Sequence, residues 1–367
     1  MNILLLCGNL SYAGAQRQLL ELAKGLNTNH NLIVCSISSN VPLLSEFTNN
    51  YIRVKVLNLR KRNFIRIVLE LKKIIKNNNV QVVYSFLEMA NTYSKIVKMI
   101  SPNLKIISSE RSSDIITNIA QRNTEIFFSY LTDLYIANSY AGKRALYDNY
   151  KVNNVKVIHN GVDIKRFHSL QESSLNEVQL ENKTIIVQVG RIKPDKNFEM
   201  FLKVAELTCE LHKNAIFIAI GDQPNSGNLY QDSILKEKAK LKYQDRILFI
   251  GARSDIPEIL SKIDISILTS HREGCSNTIL ESMFAKCPLV VTDVGDNRIM
   301  LSKVNQDYIV KPNSVEEMVK KISTLISNPD LRKTIGINNY NKALKKFTKE
   351  VMVQNTESII LELLNKK

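Results

Sequence analysis

The chain has 367 residues, 44% of them hydrophobic, enough for two domains of ordinary size rather than one. No run approaches the 18 consecutive apolar residues of a membrane-crossing helix, and five scattered cysteines with no C-x-x-C pair and no Cys/His cluster of zinc-like spacing fit a reducing cytoplasm. The net charge is +15, and residues 1–180 hold 22 Lys and Arg against 12 Asp and Glu, so the excess sits in the first half.

In chain order, Met1–Cys7 lacks the basic start and long apolar run of a signal sequence and reads as a buried strand over 3–7. Ala13-Gly14-Ala15 joins it to a helix over 14–27; Gly14 lets backbone approach a ligand closely, and Arg17 at the helix start is a candidate for an anionic acceptor. After a strand at 31–37 comes a basic block, Arg60, Lys61, Arg62, Arg66, Lys72, Lys73 and Lys76. Phe64, Ile65, Ile67, Val68, Leu71, Ile74 and Ile75 are threaded through it, which predicts a basic amphipathic helix over 63–77. Such a helix suits an anionic membrane surface or, equally, a solvated basic face. Strands follow at 80–84, 104–109 and 133–137, with Ser108-Ser109-Glu110-Arg111-Ser112 at the end of the second. Glu110 and Arg111 either face the reacting centre or form a surface ion pair. Asn138-Ser139 and the run His159 to Asp163 lead toward a hinge, where His159 reads as a packing residue. The polar stretch from His168 to Lys183 is the expected linker.

The alternation restarts at Thr184, with strands at 184–189, 215–220, 246–250, 265–268 and 288–292 and helices at 197–212 and 229–242; a last helix begins near Glu350. Strands without alternating polar residues, separated by helices, predict an α/β fold with parallel sheets covered on both faces. Gly190-Arg191 ends one strand and Lys196 precedes the next helix. A strand, a cationic loop and a helix start suit a diphosphate, with Arg offering a fork and Lys a point charge. Further on, Glu273 and Glu281 stand eight positions apart around a helix start at Ser276-Asn277. Ser and Asn cap helix starts with their side chains, and the free N–H groups there favour phosphate. A carboxylate on either side of such a place accepts paired hydrogen bonds from a diol. Phosphate between two diols describes a nucleotide-sugar.

These runs also carry a resemblance. "EGCSNTILESM" followed by "PLVVTDVGDN" resembles the signature of retaining glycosyltransferases of family 4, and "AGAQRQLLELAKGL", "NSYAGKRAL", "VIHNGVD" and "VGRIKPDKN" match in the same order over nearly the whole chain. The resemblance implies a GT-B fold, two Rossmann-like domains with parallel sheets facing across a cleft. They would be an acceptor domain over 1–168, a nucleotide-sugar domain over 183–349, and a helix over 350–367 packing back on the first. It implies catalytic roles for Arg191, Lys196, Glu273 and Glu110. Donor binding would fall to Gly14, Gly190, Arg191, Lys196, Glu273, Gly274, Cys275, Ser276, Asn277, Thr278 and Glu281, with Glu281 on the ribose hydroxyls and Glu273 on the sugar near C3. Cys275 is expected to be a convenient chemical probe. No D-x-D occurs, so neither metal nor cofactor is expected, with Arg191, Lys196 and a helix dipole in the metal's place. The chain departs from the family pattern in keeping one glycine of a frequent pair near residue 14 and in lacking histidine at the strand end near 108.

The expected activity is transfer of a hexose or N-acetylhexosamine, with retention, from a UDP-sugar to a lipid-linked glycan of a bacterial surface polysaccharide (O-antigen, capsule or lipopolysaccharide). The expected place is cytoplasmic, peripheral on the inner face of the plasma membrane. A nucleotide-sugar 2-epimerase on the same fold is the alternative. Charge alone suggests nucleic acid, but the chain has no Trp, its aromatics do not cluster with its cations, and no reader motif occurs. A dinucleotide oxidoreductase is disfavoured by the missing G-x-G-x-x-G.

Overall fold

The computed structural model describes residues 1–59, 63–111, 119–168, 181–222 and 228–365. Arg60, Lys61, Arg62, Ser112 and most of the expected linker, 169–180, lie outside the described residues. The chain forms two units, Met1–Asp163 with Phe347–Lys367, and Ile164–Lys346. The division falls ahead of the polar stretch that begins at His168: the turn Ile164–Phe167 already belongs to the second unit.

The first unit alternates β1 (Asn2–Cys7), α1 (Gly14–Leu26), β2 (Asn31–Ser36), α2 (Leu44–Thr48), β3 (Arg53–Val56), α3 (Phe64–Asn77), β4 (Val82–Phe86), α4 (Glu88–Met99), β5 (Lys105–Glu110), α5 (Ile119–Phe128), β6 (Leu134–Ala137), α6 (Tyr140–Tyr150) and β7 (Val155–Val157). The strands lie in the order β3-β2-β1-β4-β5-β6-β7, every neighbour parallel. Successive strand side chains point to opposite faces. Ile3, Leu5 and Cys7 therefore pack with Leu19, Leu20 and Ala23 of α1, while Leu4 and Leu6 pack with Ile67 and Leu71 of α3 and Val97 of α4.

The second unit runs β8 (Thr184–Val189), α7 (Phe198–Leu211), β9 (Ala215–Ile220), α8 (Leu229–Lys238), β10 (Ile247–Phe249), α9 (Ile256–Leu260), β11 (Ile265–Leu268), α10 (Asn277–Phe284), β12 (Leu289–Thr292), α11 (Asn297–Met300), β13 (Ile309–Val310), α12 (Val315–Ile326) and α13 (Pro329–Lys346). Its parallel sheet has the order β10-β9-β8-β11-β12-β13. Both sheets are Rossmann-like. In each the strand order reverses beside the first strand, and in such sheets ligands bind at the carboxyl ends of the strands flanking the reversal. In the second unit those strands are β8 and β11.

The last helix, α14 (Lys349–Asn365), completes the first unit. Its Met352, Ile360 and Leu363 enter the core that α1 covers, and its Glu357 Oε1 lies 2.6 Å from His30 Nε2. The chain leaves the first unit after Asp163 and re-enters at Phe347, and the two passages are laced together. Val162 forms a parallel bridge to Thr348. The Val162 N–H donates to Phe347 O and the Lys349 N–H to Val162 O, each at 2.9 Å. Lys349 Nζ lies 2.6 Å from Asp163 Oδ2.

Candidate functional site

The loop 190–197 leaves the carboxyl end of β8, and the loop 269–276 leaves that of β11. A polar residue inside an apolar strand ties them together. Gln188 is buried in β8; its Oε1 accepts the Thr269 N–H at 3.2 Å, and its Nε2 donates to Lys196 O at 3.4 Å. Thr269 Oγ1 lies 2.9 Å from the same Lys196 carbonyl, and the His271 N–H donates to Asp195 O at 2.8 Å. Asn197 takes a left-handed conformation, φ 51°, which a short polar side chain tolerates, and its Oδ1 caps α7 by accepting the Met200 N–H at 3.2 Å.

The stitching brings Lys196 onto Glu273. Nζ donates to Glu273 Oε1 at 2.5 Å, and Ser270 Oγ donates to the same oxygen at 2.7 Å. Glu273 is 8% exposed. With both donors on Oε1, Oε2 carries no hydrogen bond among the described residues. Gly295, after β12, supports this turn from behind: its φ is 56°, and a Cβ there would lie 1.9 Å from Glu273 O. The next N–H, of Asp296, donates to Gly274 O at 3.2 Å. A second close approach sits under the other loop, where a Cβ on Gly221 would lie 1.9 Å from Gly190 O. Gly190 itself has ordinary room for a side chain, with Lys196 Cδ 3.8 Å from its would-be Cβ.

Arg191 is exposed and carries no ion pair among the described residues. Ile192, next to it, is buried, its N–H held by Asp222 Oδ2 at 3.0 Å. A cavity of about 260 Å³ opens beside this loop, lined by Ile192, Gly221, Asp222, Gln231, Phe249 and Gly251.

On the other side, Ser276 stands at the N-cap of α10 but makes no side-chain capping bond. That corrects the expected cap at Ser276. Thr278 Oγ1 ties that turn to β8 by donating to Val189 O at 3.0 Å. Cys275 is 6% exposed, so the expectation of an open probe fails; the loop folds its side chain inward ahead of the helix. One turn into α10, Glu281 Oε1 accepts from Arg166 Nη1 at 3.1 Å. Arg166 lies in the turn Ile164–Phe167, and Phe167 stacks near Phe284 of α10, ring centroids 6.0 Å apart. Sequence reasoning missed Arg166, a lone cation with no periodic or motif cue.

The remaining candidates belong to the first unit. Gly14 is the exposed first residue of α1. Arg17 is engaged, with Nη1 2.5 Å from Glu46 Oε2. Glu110 ends β5, and its Oε1 accepts the Arg111 N–H at 2.8 Å. The Arg111 guanidinium donates to Asn160 Oδ1 at 2.9 Å and lies 4.6 Å from the Phe86 ring centroid. The His159 ring packs between Tyr140 and Phe347, with centroids 5.9 and 5.5 Å away, as a packing residue does. Among the described residues no three His, Cys, Asp or Glu are grouped to hold a metal ion, and no helix is long and apolar enough to cross a membrane.

Two family models match in tandem, Glycosyltransferase Family 4 over residues 12–166 and Glycosyl transferases group 1 over residues 171–342. The Escherichia coli UDP-Gal:alpha-D-GlcNAc-diphosphoundecaprenol alpha-1,3-galactosyltransferase is 25% identical over 219 residues, 58% of this chain and 55% of that one. The chain therefore spans about half of that relative. A Campylobacter jejuni N-acetylgalactosamine-N,N'-diacetylbacillosaminyl-diphospho-undecaprenol 4-alpha-N-acetylgalactosaminyltransferase is 20% identical over 278 residues, 73% of each chain. Among solved structures, Anabaena Alr3699/HepE in complex with UDP superposes with TM-score 0.86 over 99% of this chain and 100% of its own, at 19% identity, a likeness of fold.

Proposed function

We propose, from the premise that the chain belongs to the glycosyltransferases, with a family 4 domain ahead of a group 1 domain, that it moves a sugar from a UDP-sugar to a hydroxyl of a lipid-linked glycan in bacterial surface-polysaccharide assembly. One observation carries the reading: Lys196 meets the buried Glu273 at the carboxyl ends of β8 and β11, with Glu281 on the helix that follows. Lys196 and the exposed Arg191 would neutralise the diphosphate, with no metal required, and the start of α10 would add its dipole. Glu273 Oε2 and the Glu281 carboxylate would accept sugar and ribose hydroxyls. The cavity beside Ile192 suits the base. The named acceptors of the E. coli and Campylobacter relatives, both diphospho-undecaprenol-linked, support the lipid-linked class.

The reaction we favour retains configuration by a front-side route. The bond from the acceptor oxygen to C1 forms as the C1–phosphate bond breaks on the same face. The acceptor proton passes to the leaving phosphate, and UDP departs. Arg191 and Lys196 stabilise the charge growing on that phosphate. Glu110 is the carboxylate we assign from the first unit; capturing a sugar covalently on it would replace this route with a double displacement. We place the enzyme peripherally on the inner face of the plasma membrane, on the outer side of α3. Ile65 and Leu69 stand exposed there among Arg66, Lys72, Lys73 and Lys76.

Titration calorimetry with UDP, and mass spectrometry of a polyprenyl-diphosphate sugar incubated with UDP-sugars, test the proposal. We expect UDP to bind, and Lys196→Ala to lower kcat/KM about 100-fold or more, the usual loss when one oxyanion donor is removed. Absence of heat with uridine, guanosine and adenosine diphosphates would sink it. A product formed without acceptor would point to a 2-epimerase.

A further inference from the structure

Glu281 is the weakest-held member of the site as the sequence presents it. A glutamate on a helix has three rotatable bonds, and a carboxylate that is to accept two neighbouring hydroxyls must stop turning. The fold supplies the restraint from far along the chain. Arg166 Nη1 donates to Glu281 Oε1 at 3.1 Å, a contact across 115 positions of sequence. The Arg166 side chain is 31% exposed and that of Glu281 16%, so the pair stands partly shielded from water, where an ion pair counts for more than at an open surface. The turn that carries Arg166 is itself docked on α10, because Phe167 lies against Phe284, three residues beyond Glu281. Two consecutive side chains of Ile164–Phe167 thus hold two residues of one helix face. A carboxylate has about four lone-pair positions on its two oxygens. Arg166 takes one on Oε1 and leaves Oε2 with no hydrogen bond among the described residues.

We infer that Arg166 is a positioning residue for the nucleoside. It orients the Glu281 carboxylate, so that the remaining lone pairs meet a vicinal diol of the donor. The inference rests on the reading of the second unit as the donor-binding unit. It adds to that reading a residue outside both glutamates and both cations, and a reason for the turn's place at the entry to the unit.

The test is calorimetry of the full chain with UDP and with 2′-deoxy-UDP, for wild type, Arg166→Lys, Arg166→Met, Glu281→Gln and the double variant Arg166→Met/Glu281→Gln. A hydrogen bond to a charged group is worth about 10-fold or more in affinity. We expect wild type to prefer UDP over the deoxy nucleotide by about that factor, and Arg166→Met to lose most of the preference by weakening UDP about 10-fold while leaving the deoxy nucleotide within about twofold. Arg166→Lys restores part of it, and the double variant is no worse than Glu281→Gln alone. Loss of both nucleotides equally, or a preference unchanged in Arg166→Met, overturns the inference while the donor-site reading stands. A wild type that binds neither nucleotide overturns the donor-site reading and this inference with it. Should Arg166→Met fold poorly, as judged by its thermal transition, Arg166→Lys carries the test: an unchanged UDP preference there, together with one unchanged in the Glu281→Gln variant, is the overturning result.

Discussion

At the scale of single residues, burial sets how reactive the thiols are. All five cysteines are buried, and none is joined in a disulfide. Desolvation disfavours the thiolate, which is the reactive form. Burial pushes Cys35 up to about 12 and Cys209 up to about 11, and raises Cys7 and Cys287 further. Ellman's reagent at pH 8 should therefore find no fast thiol in the native protein and five after unfolding in guanidinium. Prompt reaction at Cys275, lost when UDP is added, would show that the loop opens and would restore that residue as a probe. Arg191, Lys196 and Glu273 were legible because they crowd into loops between strongly patterned elements. Arg166 was not legible, because its partner lies 115 positions away and nothing in a linear pattern reports such a meeting. The missing cap at Ser276 was equally hidden: residue type indicates that a side chain is able to cap, not which rotamer the surrounding packing leaves it.

Among the elements, the buried strands were the most readable. Those at 184–189, 215–220 and 265–268 lie where their apolar runs predicted. Among the described strands, three of the four edges were not readable. β3 is an edge strand that alternates Arg53 and Lys55 with half-buried valines, β7 has three residues and β13 two. A strand paired on one side needs little apolar sequence, and charges along it discourage pairing with another chain. The helix expected over 229–242 ends at Lys238. The basic helix is present as α3, with Ile67, Val68, Leu71, Ile74 and Ile75 turned to the core. Its outward face mixes Ile65 and Leu69 with cations. Near an anionic surface each cation contributes about 1 kcal/mol. Neutralising Lys72, Lys73 and Lys76 together to Gln should thus lower partition onto phosphatidylglycerol vesicles about 100-fold at low salt, read by flotation. Equal flotation of wild type and variant, or none of either, would remove α3 from the membrane proposal.

For the whole molecule, the order of elements in sequence is not the order of assembly in space. The first unit is discontinuous, and its α1 face stays uncovered until α14 returns with Met352, Ile360 and Leu363. The second unit is continuous and has its own core. Residues 164–346 expressed alone should unfold in a single sharp thermal transition. Residues 1–163 should be soluble and cooperative only when 347–367 are joined to them, because the exposed apolar face would otherwise drive aggregation. A cooperative 1–163 fragment would show that α14 is an ornament on a finished core. Alternating strands and helices announced two parallel sheets. The polar stretch after His168 marked the join late, because the turn carrying Arg166 is fastened to α10 rather than left as a tether.

The lacing of Val162 to Thr348 also decides how this molecule answers a pull. Tension applied between Asn2 and Asn365 travels through the first unit alone, because the 183 residues from Ile164 to Lys346 begin and end at a single clasped point. They hang from the line of force as a slack loop. The clasp must rip before they bear any load, so in an optical trap the first rupture should release the last helix, and the long extension of the second unit should come only afterwards.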